Sequence, residues 1–290
     1  RHYVKGNREM ISNTPANPPS FKVRLLIAAS CGLALFGLES QAAGFYLQEL
    51  GTPHSLGTAG VANPTNTEGA DASWSNPAGM VHVKGDQIFA GFQAVIPNME
   101  FDSSVATAGG GDGGNAGILT AVPSVFYVHK YSDQLSFGLS IAGVMGGGVD
   151  YGKNFVGRYG AYRAVLGGLA ISPSIAYKVN EDFSIGAGLS AVYTMFDQDI
   201  AILQPGNVDG RVSINQIDDW AVTSYFGLTY QLNEKAMLGV VYRPEFDANL
   251  EGDVNFSNLV GSTPVADSIK VEWTNPQVLQ IGLQYKLNDE

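Results

Sequence analysis

The chain is poor in cysteine and in charged residues. Of its 290 residues one is a cysteine, Cys31, and 15% are Asp, Glu, Lys or Arg. An exported protein with a single cysteine has no internal disulfide and needs a large hydrogen-bonded structure for its stability. The net charge of −11 argues against a nucleic-acid partner, because proteins that bind phosphate backbones carry an excess of Lys and Arg.

Motifs for chemistry are also scarce. No Ser or Cys lies in a recognised nucleophile motif, and residues 109–114 lack the Lys-Ser or Lys-Thr of a phosphate-binding loop. The histidines do not have the spacing of metal ligands; they are His2, His54, His82 and His129. We therefore expect no enzyme activity, no metal site and no cofactor.

Long apolar runs are missing except over residues 25–38, and this run is too short to span a bilayer comfortably. Lys22 and Arg24 precede it, and the small residues Ser40 and Ala42 follow it. A basic segment, a short apolar segment and small residues at the cleavage positions predict a secretory signal peptide. A short buried helix is the alternative.

We place the signal peptide at 22–42, with cleavage between Ala42 and Ala43, after a non-structural N-terminal extension over 1–21. A lipoprotein signal that ends at Cys31 is an alternative, but it leaves almost no apolar segment before the cleavage site. Cleavage at Ala43 implies a mature chain that contains no cysteine.

Alternation with a period of two residues is abundant. Between Phe183 and Tyr193, apolar residues alternate with Ser and Gly, as in β-strands with one apolar and one small or polar face. The pattern predicts eight strands, over residues 86–97, 120–131, 134–144, 163–179, 182–196, 217–232, 235–250 and 268–287.

Short and long connections alternate between these strands. Tyr177, Tyr230 and Tyr285 each precede a short turn with an Asn three residues later, and Asn suits tight turns. Short turns at one end, with Tyr beside them, and long loops at the other end are typical of a transmembrane β-barrel. A soluble β-sandwich is the alternative, but it would not explain the one-sided loop lengths. The long, polar connections are 102–118, 145–162, 197–216 and 251–267.

We therefore predict an all-β fold, a transmembrane antiparallel β-barrel over residues 86–290 in the outer membrane of a Gram-negative cell. An exported chain rich in strands spans a membrane only as a closed barrel, because lipid cannot satisfy free backbone groups. The sequence stops in a short turn at 288–290, so we expect the eight strands to be an incomplete barrel.

Residues 43–85 contain too many breakers for strands and too little periodicity for a long helix, which predicts a compact plug. Within this segment Pro77 fixes its own φ angle and pushes Asn76 towards an extended conformation. Asn76 would cap the following turn or bond side chains in the lumen, while Trp74 and Met80 would contact the barrel wall. An ordinary surface loop is the alternative.

Seven short motifs occur in a specific order: Ala43-Gly44-Phe45, GTAG at 57–60, ADAS at 70–73, Asn76-Pro77-Ala78-Gly79-Met80, GRYGAY at 157–162, PSIAY at 173–177 and LGVVYR at 238–243. In this order and spacing they resemble the FadL-type outer-membrane transporters of long-chain fatty acids and aromatic hydrocarbons (OMPP1/FadL/TodX-like). The resemblance covers residues 43–290.

The resemblance implies a fourteen-stranded barrel whose lumen is blocked by an N-terminal hatch, here residues 43–85. It also implies that a hydrophobic small molecule binds between extracellular loops, moves to an apolar pocket near the N-terminus, where Phe45 would contact it, and leaves sideways through a kink in the third strand. We expect a monomer in contact with outer-membrane lipid and lipopolysaccharide.

The third strand ends in a group of glycines: Gly143, Gly146, Gly147 and Gly148. Glycine within a strand marks a bulge, a bend or a close approach, so these residues are our candidates for the lateral gate. A plain flexible loop entrance is the alternative. Met145 lies among them and offers a soft apolar surface to a ligand.

Arg158 and Arg163 lie among the aromatic residues Phe155, Tyr159 and Tyr162. A cation among aromatic rings would hold a fatty acid carboxylate above an apolar site. The alternative is that the arginines bond neighbouring acids or the phosphates of lipopolysaccharide.

Ile200, Ile202 and Leu203 form an apolar cluster in the connection 197–216. A loop in water is expected to be polar, and exposed apolar residues often form a binding surface. We therefore assign these three residues to the outer ligand groove.

Three functions are compatible with a barrel of this kind. Passive uptake of hydrophobic small molecules is the function that a plug and the resemblance favour. A general porin would have no plug and would carry charges on its lumen face, whereas Ser184, Gly186, Gly188 and Ser190 are small and uncharged. A structural barrel or adhesin is the third possibility.

Overall fold

The computed structural model describes residues 47, 49–104, 109–261 and 265–287. The predicted signal peptide, its cleavage between Ala42 and Ala43, and the ligand residue Phe45 lie outside the described residues. The described chain begins with a hatch of short helices and continues as a sheet of ten antiparallel strands.

The strands lie close to the ranges that the sequence predicted. They are β1 (Gln87–Val95), β2 (Thr120–Lys130), β3 (Leu135–Asp150), β4 (Arg163–Lys178), β5 (Phe183–Gln204), β6 (Val208–Asn233), β7 (Ala236–Arg243), β8 (Phe246–Ser257), β9 (Val265–Asn275) and β10 (Val278–Tyr285).

The prediction of single strands over 235–250 and 268–287 is wrong. The first is divided at Pro244, between β7 and β8, and the second at Pro276, between β9 and β10. Proline has no N–H to donate to a ladder, so regular pairing stops at these positions.

Three of the predicted loops are also wrong over much of their length. β3 continues to Asp150, β5 and β6 form a long hairpin that turns at 205–207, and β8 continues to Ser257. Polar and glycine residues in these segments concealed the strands. Since Gly146, Gly147 and Gly148 lie within β3, they are part of the sheet and not of a loop entrance.

Ile200, Ile202 and Leu203 belong to β5 and not to a loop. Successive residues of a strand point to opposite faces, so Ile200 and Ile202 lie on one face and Leu203 on the other. The prediction that these residues form one apolar loop cluster is therefore wrong, although Leu203 is 60% exposed.

Neighbouring strands pair in the order β1-β2-β3-β4-β5-β6-β7-β10, and β8 pairs with β6 and β9. β7 and β8 thus pair one after the other with the same edge of β6. In the next position of the sheet, β10 pairs with β7 and β9 pairs with β8. Within the described residues no ladder joins β1 to β10, so the sheet has two edges.

The lower part of the sheet, next to the short turns, has its apolar side chains on the outside. In β4, Ile171 and Ile175 are exposed, whereas Ser172 and Ser174 between them are buried. An outward apolar face around an interior of small residues is the arrangement of a membrane-spanning barrel. The same outward face includes Phe137, Leu139, Ile185, Leu189, Phe226 and Leu283.

The polarity of the two faces is reversed in the upper part, next to the long hairpins. In β8, Ala248 and Leu250 are buried, whereas Asp247, Asn249 and Glu251 are exposed. The outward face therefore meets water at this level. The interior is apolar here, unlike the interior of small and polar residues below.

The hatch packs on the inner face of the lower sheet. It contains α1 (Pro53–Gly57), a 3₁₀ helix (Asn63–Thr65), α2 (Ala72–Ser75) and a second 3₁₀ helix (Pro77–His82). The hydroxyl of Thr52, which caps α1, donates a hydrogen bond of 2.7 Å to Asp71 and links α1 to α2. All residues from 70 to 81 are buried. No helix among the described residues is long and apolar enough to cross a membrane.

Glycines of the sheet allow the hatch backbone to approach closely. A Cβ atom at Gly186 would lie 2.5 Å from the backbone of Pro77 and of Ala78, and a side chain there would push the hatch away. Among the other strand glycines that face the hatch, Gly239 meets its backbone, and Gly138, Gly227 and Gly282 meet its side chains. We call the five residues the glycine track: Gly138, Gly186, Gly227, Gly239 and Gly282.

A valine at Gly186 is expected to displace the hatch. The substitution Gly186→Val places a branched side chain where Pro77 and Ala78 lie, and overpacking of this kind costs about 1–3 kcal/mol of unfolding free energy. Denaturant unfolding in detergent micelles measures the change. Gly147→Val is the matched control, because no atom lies within 4 Å of a Cβ at this strand position. Equal stability of the two variants would contradict close packing of the hatch.

Candidate functional site

Asn76 connects two segments of the hatch, at Pro64 and at Ala78, to the sheet. Its side-chain amide donates hydrogen bonds to the carbonyl oxygens of Pro64 (2.6 Å) and Leu228 (3.1 Å). Its side-chain oxygen accepts a hydrogen bond of 3.1 Å from the N–H of Ala78 and so caps the second 3₁₀ helix. Because Asn76 is fully buried, each of these three partners would lose its bond if the amide were removed.

Trp74 lies under a cation held by the sheet. The guanidinium of Arg243 is 4.3 Å from the Trp74 ring centre and 4.8 Å from the ring centre of Tyr225, and it donates a hydrogen bond to the Trp74 carbonyl. The Tyr225 hydroxyl donates to the carbonyl of Ser73 at 2.6 Å. A buried cation between two aromatic rings is a strong, directional contact, so this cluster fixes the upper edge of the hatch.

Sequence reasoning missed Arg243 and Tyr225 as functional residues. Arg243 is the only cation in β7, and it points inward with an exposed fraction of 8%. A cation that lies on the inner face of a predicted membrane strand was the available signal.

The other predicted hatch residues are buried between the hatch and the sheet. Met80 is fully buried and accepts a weak hydrogen bond from the Ser174 hydroxyl at 3.6 Å. Pro77 and Ala78 lie over Gly186. A side chain at Gly79 would collide with the carbonyl of Asn66, so the hatch folds over itself at this glycine.

One connected apolar cluster extends from the hatch into the upper part of the sheet, and we call its part above the hatch the apolar interior. It includes Met145, one of the predicted ligand residues, which is 2% exposed. An apolar lining with few polar groups is typical of binding sites for hydrophobic ligands. Strands β3, β4, β5, β6 and β8 contribute Val144, Met145, Leu166, Val192, Ile217, Ala221, Phe246, Ala248 and Leu250.

The candidate gate lies where β3 leaves β2. The β2–β3 ladder ends at the pair Ser124–Ala142, and a bulge interrupts the β3–β4 ladder between Gly143 and Met145. The N–H of Leu47, from the first described residue of the hatch, donates a hydrogen bond of 2.9 Å to the carbonyl of Val144. The hatch thus contacts β3 directly at its bulge.

The outer predicted residues lie in the segment after β3. Arg158 donates a hydrogen bond of 2.6 Å to the Asp209 carboxylate, and Tyr159 donates another of 2.6 Å. Hydrogen bonds from Tyr159 and then from Arg158 lower the pKa of the Asp209 carboxyl. Arg158 is therefore bonded to a neighbouring acid, which is the arrangement that the sequence left open as an alternative to ligand binding.

Arg163 and Tyr162 lie near two further acidic residues, Asp197 and Asp199. Arg163 is 3.9 Å from the Asp197 carboxylate, and Arg211 donates a hydrogen bond of 2.8 Å to Asp199. Tyr162 is 5% exposed and lines a cavity of about 310 Å³ between this segment and the tip of the β5–β6 hairpin.

Phe155 belongs to an aromatic cluster that joins two outer loops. Its ring stacks on Tyr151 with 4.3 Å between ring centres and meets Phe101 edge-on at 5.2 Å. The structure therefore brings Phe155, Arg158, Tyr159 and Tyr162 into one outer region. It places Met145 in the apolar interior and the hatch residues below it.

The chain resembles known proteins over most of its length. The long-chain fatty acid transport protein of Escherichia coli O6:H1 is 24% identical over 264 residues, which cover 81% of this chain and 59% of that protein. Outer membrane protein P1 of Haemophilus influenzae is 24% identical over 315 residues, with 91% of this chain and 66% of that protein covered. The chain thus spans about 60% of the length of these relatives.

Solved structures show the same fold. A Pseudomonas aeruginosa FadL homologue superposes with a TM-score of 0.70 at 19% identity and covers 84% of this chain and 67% of its own. The Pseudomonas putida toluene transporter TodX gives a TM-score of 0.62 at 21% identity, with 77% and 64% covered.

A sequence profile of the outer membrane protein transport protein family (OMPP1/FadL/TodX) matches residues 33–290. Together with the outward apolar face of the sheet, this match identifies a transmembrane antiparallel β-barrel protein of the Gram-negative outer membrane. The chain belongs to the OMPP1/FadL/TodX family of outer-membrane transport proteins.

Proposed function

We propose that this protein carries hydrophobic small molecules, such as long-chain fatty acids or aromatic hydrocarbons, passively across the outer membrane. The observation that carries the proposal is the arrangement of two layers: a fully packed hatch and, directly above it, an apolar interior. The hatch stops water and ions, whereas the apolar interior favours molecules that leave water readily.

The route that we propose has three stages. A ligand binds first in the outer region around Phe155 and Tyr162, then enters the apolar interior beside Met145, and finally leaves through the wall at Gly143 to Gly148. Two features support the last stage: the β2–β3 ladder ends at Ala142, and β3 has a bulge directly after it.

In this proposal the arginines of the outer region hold the outer segments together and do not bind a charged ligand. Arg158 holds Asp209 and also donates to the carbonyl of Gly109 at 2.9 Å, so it connects three outer segments. A fatty acid carboxylate would have to displace Asp209. The proposal therefore includes uncharged aromatic hydrocarbons as well as fatty acids.

A general porin is the second candidate function. Its support would be a charged lumen face, but the inward residues beside the hatch are small and uncharged, as at Ser172, Gly186 and Ser190. We further propose that the protein works as a monomer whose outward apolar face contacts membrane lipid and whose outer loops contact lipopolysaccharide.

Removal of the Asn76 amide is expected to loosen the hatch without unfolding the barrel. In Asn76→Ala the partners at Pro64, Leu228 and Ala78 lose hydrogen bonds in a buried site, which costs about 1–3 kcal/mol. Single-channel conductance in planar bilayers is expected to rise above the low value of the unchanged protein. Asn98→Ala is the control, because Asn98 is exposed. Unchanged passage of both ions and ligand would count against the hatch.

A larger side chain at Gly147 is expected to obstruct the β3 passage. Gly147 has open space at its Cβ position, so Gly147→Leu fills the passage without a clash. The initial rate of uptake of radiolabelled oleate and toluene should fall, while ion conductance stays low. Gly57→Leu, at an exposed position that also has open space, should leave uptake unchanged. Normal uptake by the Gly147 variant would exclude an exit at β3.

A further inference from the structure

The ladder between β6 and its neighbour is interrupted. β6 pairs with β7 between residues 226 and 233 and with β8 between residues 211 and 218. Between these two blocks no ladder pair joins 219–225 to 243–250, and the structure describes all of these residues. The other edge of 219–225 stays paired with β5. The interruption is therefore confined to one seam of the wall.

The residues around Pro244 explain the interruption. Arg243 and Phe246 both point inward, with exposed fractions of 8% and 9%, although residues three apart in a regular strand point to opposite faces. The regular in–out alternation of side chains is therefore broken at Pro244 and Glu245. Pro244 has no N–H to offer to β6, and the guanidinium of Arg243 is held by Trp74 of the hatch.

The seam opens on the apolar interior just above the hatch. Its lower end is the contact of Arg243 with Tyr225. The inward side chains along it, Ala221, Phe246 and Ala248, belong to the apolar interior. The seam therefore begins where the hatch ends, at the level to which a ligand in the lumen would descend.

The outer mouth of the seam is apolar on the β6 side. Trp220 is 54% exposed and Val222 is 73% exposed, and the Trp220 ring lies 5.2 Å from the ring of Tyr193. On the β8 side the exposed residues are Asp247 and Asn249. Aromatic side chains between apolar and polar surfaces mark the edge of the hydrocarbon layer, here on the side of the long hairpins.

A side chain crosses the seam in place of a ladder bond. The N–H of Asn249 donates a hydrogen bond of 2.7 Å to the carboxylate of Asp219. A side chain can rotate away from such a bond without disturbing either strand, whereas a ladder has to separate cooperatively. The seam is thus the more easily opened part of this wall.

We propose that this seam is a second lateral passage, through which an apolar hydrocarbon or fatty acyl molecule moves between the apolar interior and the outer leaflet. The passage is separate from the one at β3, since β4 and β5 lie between them with ladders to both neighbours. The inference rests on the proposed transport of hydrophobic molecules.

Blocking the mouth with a bulky thiol label tests the passage. Cells produce the full protein with Cys31→Ser and Val222→Cys, and N-(1-pyrenyl)maleimide is attached to the new cysteine. Ile185→Cys in the same background is the matched control, because Ile185 also faces outward, is 45% exposed and is paired on both sides, with Tyr177 and Leu228. Mass spectrometry measures the labelled fraction, and the initial rate of radiolabelled oleate uptake is measured before and after labelling.

Labelling at position 222 is expected to remove roughly half of the uptake rate, since two passages share the flux and one is obstructed. Labelling at position 185 is expected to leave the rate unchanged. Complete labelling at 222 with an unchanged rate would overturn the second passage, as would a cysteine at 222 that resists the reagent while the one at 185 reacts. Unlabelled cells that take up no more oleate than cells without the gene would instead overturn the transport function itself.

Discussion

The close approach of the hatch backbone to the glycine track is the contact on which the rest of the structure depends. Pro77 and Ala78 lie against Gly186, and Asn76 bonds the carbonyl of Leu228 in the neighbouring strand. The interior of the lower sheet is occupied by the hatch, and its wall residues are small. The large side chains of these strands are therefore on the outside, where lipid solvates them. The packing of the hatch against small inner residues therefore accounts both for the plugged lumen and for the apolar outer surface.

The same strands change character above the hatch. Where the hatch no longer fills the interior, the inner side chains become large and apolar, as at Leu250 and Ile217, and the outer ones become polar, as at Asp247. The Arg243 cluster with Trp74 and Tyr225 marks this boundary. Beside this boundary the ladders of the wall are interrupted at two places, at the β3 bulge and at the β6–β8 seam, and the proposed lateral passages rest on these interruptions.

The sequence predicted the parts of the fold that repeat. Period-two alternation located part of every strand but merged β7 with β8 and β9 with β10, and the turn-forming residues around Asn76 located the hatch. It could not locate the upper halves of β5 and β8, since strands in water reverse the polarity of their faces and look like polar loops. The breaks at Pro244 and Pro276 were visible as prolines, but alternation on either side concealed them. The central glycines of the strands were visible too, whereas their purpose required the hatch backbone in place. Arg243 could be connected with Trp74 only in three dimensions, because 169 residues separate them.

A disulfide between hatch and wall tests the central claim most directly. A Cβ at Gly282 would lie 3.2 Å from the Cβ of Pro64, near the separation that a disulfide requires. The pair Pro64→Cys and Gly282→Cys, with Cys31→Ser, is expected to oxidise in the folded protein as completely as Leu238→Cys with Leu283→Cys, which are register partners in the wall. A shifted band on a non-reducing gel reports each bond. Oxidation of the wall pair alone would show that the hatch does not lie on the glycine track.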